Sequence, residues 1–139
     1  MIDPQSKNLK LKILVVDDDP TIRKLLSELL TREGFEVIVA KDGIDAMVLL
    51  NRELPDLLVL DVMMPDFNGY DVCYHLKTRP ATKNLSIIIL TSRDQELDPR
   101  LGALMGVEYL HKSAQPKQLL AMVRRILGQN KTASDHQER

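Results

Sequence analysis

Five short apolar runs, each followed by a longer segment whose apolar residues recur at helical spacing, constrain this chain more than any other feature of its sequence. The runs cover residues 13–16, 36–40, 57–60, 87–90 and 108–110, and the first, third and fourth are apolar throughout. An uninterrupted apolar run marks a strand covered on both faces, as strands of parallel sheets are, so these three are predicted to be central. Parallel neighbours need long crossovers, and the intervening segments have the length and period of helices. Ile22, Leu25, Leu26, Leu29 and Leu30 mark the first, with Asp19 and Pro20 as N-cap and first-turn residues and Gly34 as its stop. Ile44, Met47 and Val48 mark a second after Asp42-Gly43. A third spans 70–79 and halts before Pro80, and a short fourth opens at Asp98-Pro99. The fifth opens at Pro116 and carries Leu119, Leu120, Val123, Ile126 and Leu127. The pattern predicts one doubly wound α/β domain over residues 12–127, with a five-stranded parallel sheet and five helices. Residues 1–11 read as a flexible N-terminal extension and 128–139 as a polar tail.

The 139 residues suit one domain with a substantial core. Lys and Arg (19) nearly balance Asp and Glu (20), so no general electrostatic pull toward nucleic acid or acidic membrane is expected, and direct nucleic-acid binding is not expected. With Cys73 alone, no intramolecular disulfide can form, and a reducing cytoplasm is the expected compartment, with Cys73 a small buried apolar residue. No run approaches the roughly 20 apolar residues of a membrane span. His75, His111 and His136 lack ligand spacing, which argues against zinc. Met47, Met63, Met64, Met105 and Met122 read as packing residues.

In an open parallel sheet the site lies beyond the carboxyl ends of the strands, where strand order reverses. The residues just past the end of each run are therefore informative: Asp17-Asp18-Asp19 after the first, Asp61 after the third, Thr91-Ser92 after the fourth and Lys112 after the fifth. Carboxylates gathered at one edge repel unless a cation joins them, and Mg²⁺ takes such oxygen ligands together with water and phosphate. A hydroxyl and an ammonium are what a phosphoryl oxygen needs for neutralisation. Taken singly, each residue has an ordinary role: Asp19 as a cap, Thr91 as a strand-end hydroxyl, Lys112 as a solvated charge. Their coincidence at successive strand ends is what points to a metal and a phosphate-class anion.

These residues also carry a family pattern. Val15-Val16-Asp17-Asp18, Asp61-Val62-Met63-Met64-Pro65 followed by Gly69, Leu90-Thr91-Ser92, and Tyr109-Leu110-His111-Lys112 resemble, in this order, the motifs of response-regulator receiver domains. The resemblance spans about residues 12–127. It implies a flavodoxin-like sheet of order 2-1-3-4-5 and a phosphoacceptor at Asp61, whose carboxylate would attack phosphorus to form an acyl phosphate. It further implies Mg²⁺ held by Asp18 directly, by Asp17 mainly through water, by Asp61 and by the backbone carbonyl of Met63. Lys112 would pair with one phosphoryl oxygen, and Thr91 would hydrogen-bond another. Tyr109 would turn inward as Thr91 moves, with plain half-buried packing as the alternative. The implied donor is a histidine kinase or histidine phosphotransfer protein. The implied readout face, for a downstream protein, is the fourth helix, fifth strand and fifth helix, over about 98–127, on a monomer or weak dimer.

Three departures matter. Many receivers follow the lysine with a cis-proline and a phenylalanine, whereas Ser113 and Ala114 stand here. A cis bond before serine costs about 2.5–4 kcal/mol, so both a trans loop and a strained cis loop remain open. Ala114 weakens the inference that the readout face forms the family's common dimer. Met63 and Arg93 hold the positions that tune dephosphorylation in the family, and neither is an acid or amide, so slow loss of phosphate is expected. Asp17-x-Asp19-x-Thr21 also resembles the nucleophile motif of haloacid-dehalogenase-type phosphatases. That enzyme reading needs a later acidic pair, yet no acid lies between Lys112 and Asp135, and it leaves Asp61 idle. Two further readings are a pseudo-receiver that is never phosphorylated and a receiver piece of a longer protein. The preferred reading is a phosphoacceptor switch that assists its own phosphorylation and dephosphorylation, and not an enzyme.

Overall fold

The computed structural model describes residues 10–64, 67–92 and 104–128. In chain order the elements are β1 (Lys12–Val16), α1 (Pro20–Arg32), β2 (Glu36–Ala40), α2 (Gly43–Arg52), β3 (Leu57–Asp61), β4 (Met63–Met64), β5 (Phe67–Asn68), α3 (Gly69–Lys77), β6 (Ser86–Thr91), β7 (Val107–His111) and α4 (Pro116–Ile126). Five strands form one sheet in the order β2-β1-β3-β6-β7, every pair parallel. This is the 2-1-3-4-5 flavodoxin-like arrangement, and its order reverses between β1 and β3. The short β4 and β5 form a separate antiparallel pair that the sequence pattern does not announce. Four helices lie among the described residues, α4 being the expected fifth. The expected helix at Asp98-Pro99, like Arg93, lies outside the described residues.

The period of two along the strands divides the core into two layers. Leu14, Val16, Leu58, Leu60, Ile87 and Ile89 face Ala46 and Leu50 of α2 and Tyr70, Cys73 and Leu76 of α3. Ile13, Val15, Leu57, Val59, Ile88 and Leu90 face Leu26 and Leu30 of α1 and Leu119 and Val123 of α4. Each fully buried aliphatic side chain contributes about 1.5–3 kcal/mol, and the central strands alone supply a dozen. The uninterrupted runs follow from this, since both faces of β1, β3 and β6 are covered.

Local signals place the helices. Asp19 caps α1 by accepting the Thr21 N–H at 2.9 Å, and Gly34, at φ +99°, takes the left-handed conformation that ends it. Asp42 caps α2 by accepting the Asp45 N–H at 2.8 Å. In α2, Ala46 and Leu50 meet the sheet, while Ile44 (80 % exposed) and Val48 point outward, unlike the face their apolar character suggests. α3 stops at Lys77, two residues short of expectation, where the Thr78 hydroxyl donates to the Tyr74 carbonyl at 2.8 Å. Met64 is buried and Met47 and Met122 pack partly, but Met63, the first residue of β4, and Met105, in the turn before Gly106, are exposed and are not packing residues. Cys73 is fully buried. All described peptide bonds are trans, Lys112–Ser113 included. Among the described residues no helix is long and apolar enough to cross a membrane.

Candidate functional site

Asp61 is the last residue of the central strand β3, and Asp17 directly follows β1 beside it. Both are wholly buried, while Asp18 is exposed at the rim. One carboxylate oxygen from each of the three lies within 4.8 Å of the others. The Asp61 Oδ1 accepts the Met63 N–H at 2.9 Å, and its Oδ2 accepts from Lys112 Nζ at 3.1 Å. Lys112 Nζ stands 3.8 Å from the Asp17 Oδ2, beyond hydrogen-bond distance. Asp17 Oδ1 accepts the Asp19 N–H at 2.9 Å, its carbonyl accepts from Arg23 Nη1 at 2.8 Å, and its buried Oδ2 has no hydrogen-bond partner.

The charge balance explains the titration behaviour. Three carboxylates face one ammonium, and two unit charges about 5 Å apart interact by roughly 3 kcal/mol at an effective dielectric of 20. Burial pushes the Asp17 carboxyl up to about 6; the Asp19 N–H opposes this, the nearby Asp61 and Asp18 add to it, and Lys112 opposes it. For Lys112 burial pulls the ammonium down, but its hydrogen bond to Asp61 and the charges of Asp61, Asp17 and Asp18 outweigh it, and the net direction is upward. An orphaned buried oxygen on Asp17, within a cluster of hard oxygen donors carrying excess negative charge, fits a small divalent cation such as Mg²⁺.

The remaining residues are placed by the strand register. Thr91 ends β6 one residue beyond Leu90, the partner of Asp61, and its buried hydroxyl donates to the Ser92 carbonyl at 3.3 Å. The Lys112 N–H donates to the Thr91 carbonyl at 2.8 Å, which ties the lysine's backbone to the end of β6. Where a proline is common after the lysine, the Ser113 N–H instead donates to His111 Nδ1 at 3.1 Å, and the Ser113 hydroxyl lies 2.6 Å from the same nitrogen. Tyr109 sits two residues before the end of β7, packed against the core layer under α2 and α3. Behind Asp61, Gly69 approaches Val62 so closely that a Cβ would lie 2.8 Å from the Val62 Cα.

The structure thus brings Asp17, Asp18, Asp61 and Lys112 together, with the Met63 backbone and Thr91 at the margin and Tyr109 further down the sheet. Asp19 is engaged as a helix cap, so the Asp17-x-Asp19 motif does not converge as the phosphatase reading requires. Arg23 is the contact that residue patterns missed. The available signal was a cation in the first turns of a helix, where the macrodipole disfavours it.

Comparison with known proteins agrees. A sequence model described as Response regulator receiver domain matches residues 13–124. The chain is 49% identical over 117 residues to the transcriptional regulatory protein CpxR of Escherichia coli K12, covering 84% of this chain and 49% of CpxR. It is 39% identical over 123 residues to the DNA-binding response regulator MtrA of Mycolicibacterium smegmatis, covering 88% and 53%. The chemotaxis response regulator CheY4 of Vibrio cholerae superposes with a TM-score of 0.76 at 29% identity, covering 84% of this chain and 98% of that one. The chain spans about half the length of the curated relatives it matches.

These names correct the expectation of no direct nucleic acid. The relatives are named as transcriptional regulators, and MtrA as DNA-binding. The near-zero net charge is that of these 139 residues, which span about half of CpxR, so it carries nothing of the charge on the rest of that relative. The sequence match, the strand order and the likeness to CheY4 converge, and the chain belongs to the response regulator receiver domain family of two-component systems.

Proposed function

We propose that Asp61 accepts a phosphoryl group from a phosphohistidine donor in a Mg²⁺-dependent step, and that the modified site shifts the domain between two states. The observation that carries this reading is the setting of the Asp61 carboxylate. It is buried at a strand end, one oxygen held by Lys112 at 3.1 Å and the other by the Met63 amide at 2.9 Å, within 4.8 Å of two further carboxylates. Burying Asp17 and Asp61 side by side with one ammonium between them is costly, which is a reason to build such a site only for a cation and an anion that arrive together.

Asp17, Asp18 and Asp61, with the Met63 carbonyl, would hold the metal. When bound, Mg²⁺ supplies neutralisation of the carboxylates and of the incoming phosphoryl oxygens. The chain's own residues do the rest. An Asp61 oxygen forms the new O–P bond as the donor's N–P bond breaks, and the imidazole leaves with the electron pair. The Lys112 ammonium moves from carboxylate to phosphoryl oxygen, a short step because it already stands at the rim of the site. Thr91 exchanges its 3.3 Å contact with the Ser92 carbonyl for a phosphoryl oxygen. Tyr109 follows into the space beside β6. A phosphoryl group adds up to about two negative charges, and a bias of about 5.5 kcal/mol carries a two-state population from 1:99 to 99:1.

Residues 12–127 act as the switching unit. Exposed Met63 offers no acid or amide to orient water, in keeping with slow loss of phosphate. MtrA's name supports a transcriptional output. Beryllofluoride with Mg²⁺, an analogue of the phosphoryl group, tests the reading. Amide NMR signals of Thr91 and Tyr109 are expected to shift only when both components are present, and not in Asp61→Asn. Unchanged spectra in the wild type would contradict it.

A further inference from the structure

We propose that Arg23 is a positioning residue for the cation site, holding the Asp17-Asp18-Asp19 turn in its ligating shape; this rests on the reading that Asp17 and Asp18 hold Mg²⁺. Arg23 grips the turn at both ends. Its backbone N–H donates to the Asp19 carbonyl at 3.0 Å, and its Nη1 reaches back to the Asp17 carbonyl at 2.8 Å. The turn is closed on the inside by the Asp19 N–H on Asp17 Oδ1. The guanidinium therefore fixes where the chain leaves β1, the point from which both Asp17 and Asp18 project.

The choice of acceptor is the telling feature. A guanidinium offers five donors and readily makes paired bonds to carboxylates. Here it binds a backbone carbonyl, and Asp17 Oδ2 stays without a hydrogen-bond partner. The guanidinium holds the Asp17 main chain without occupying that carboxylate oxygen. Lys112 does the opposite, since its ammonium contacts Asp61 Oδ2 itself. Arg23 also sits near the start of α1, whose first turn holds no acid and where the macrodipole disfavours a cation. What the position gains in return is the side-chain bond to the Asp17 carbonyl, so it is explained by the turn it holds and not by the helix.

Groups that orient metal ligands from outside typically change metal affinity by about 10–100-fold when removed. The test is calorimetric titration of the purified chain with Mg²⁺, for wild type, Arg23→Ala and Arg23→Lys, with urea unfolding of the metal-free proteins alongside. Alanine is the best helix former, so α1 persists in the first variant. Arg23→Ala is expected to weaken Mg²⁺ binding by about tenfold, at the lower end of that range, and Arg23→Lys, which keeps the charge and a donor, by clearly less. Equal affinities in wild type and Arg23→Ala would overturn the inference, as would lost stability with unchanged affinity. If the wild type takes up no Mg²⁺, the reading of the site falls and this inference with it. If the wild type binds and the alanine variant binds equally, this inference alone fails.

Discussion

Lys112 donates to Asp61 at 3.1 Å but stands 3.8 Å from Asp17, so one ammonium is shared unevenly between two buried carboxylates. Asp61 is compensated on both of its oxygens, by Lys112 and by the Met63 amide. Asp17 keeps an oxygen without a hydrogen-bond partner. On the proposed function this asymmetry divides the labour between them, with Asp61 held for reaction and Asp17 left to take a cation.

Removing the ammonium should therefore separate binding from transfer. Lys112→Ala is expected to bind Mg²⁺ at least as tightly as the wild type, because a competing positive charge is gone. Its phosphorylation rate should fall by about 10²–10³-fold, the usual cost of losing one preorganised donor to a developing anion. Titration calorimetry and the time course of labelling by a small phosphodonor check the two halves.

The raised Asp17 carboxyl makes the metal-free chain pH-dependent in a definite sense. Its folded value of about 6 lies above the ordinary 3.8, so between those limits the folded state holds a proton that the unfolded state has lost. This contribution to stability is fully present below about pH 4 and lost as pH rises through about 6, with a magnitude of about 3 kcal/mol. Asp17→Asn removes the titration. Urea unfolding in chelator should show Asp17→Asn gaining stability relative to wild type as pH rises through this window. Mg²⁺ at 100 times its Kd should restore about 2.7 kcal/mol to the wild type.

Gly69 sets the backbone behind Asp61, the proposed phosphoacceptor. A methyl there would meet the Val62 Cα and Cγ1 at 2.8 Å, and Val62 adjoins Asp61. Gly69→Ala is expected to lose about 1–3 kcal/mol of stability, as overpacking does, and to phosphorylate more slowly even where it remains folded. Chemical denaturation and labelling rates measure both effects.

The phase of α2 can be tested directly. Ile44→Ser, on the exposed side, should change stability by less than about 0.5 kcal/mol. Leu50→Ala, in the core layer, should cost about 2–5 kcal/mol. Similar losses in the two variants would show that the helix is rotated.

Why the sheet was legible while the buried face of α2 was not, although the helix itself lies where the sequence predicts it, has a physical answer. β1, β3 and β6 are covered on both faces, so burial writes itself into every position of the run. The strands extend one residue past the apolar pattern, to Asp61, Thr91 and His111, because the ladder continues through Asp61↔Leu90 and Thr91↔His111 whatever the polarity of the side chains. In α2 the apolar residues Ile44 and Val48 contradict the buried face, which packing of Ala46 and Leu50 against the sheet defines. The cluster of Asp17, Asp18, Asp61 and Lys112 was legible because strand ends of a parallel sheet share one edge. Arg23 was not, since its acceptor is a backbone carbonyl, which every residue has. Nucleic-acid binding among the relatives escaped for another reason: charge was counted over a chain that covers half of them.

The most direct measurement is the intact mass of the chain after incubation with acetyl phosphate or phosphoramidate, with Mg²⁺ and with chelator, for wild type and Asp61→Asn. One added phosphoryl group is expected, only in the wild type and only with the metal. A phosphoryl group carried by Asp61→Asn, or by the wild type in chelator, would contradict the assignment of Asp61 as a metal-dependent phosphoacceptor.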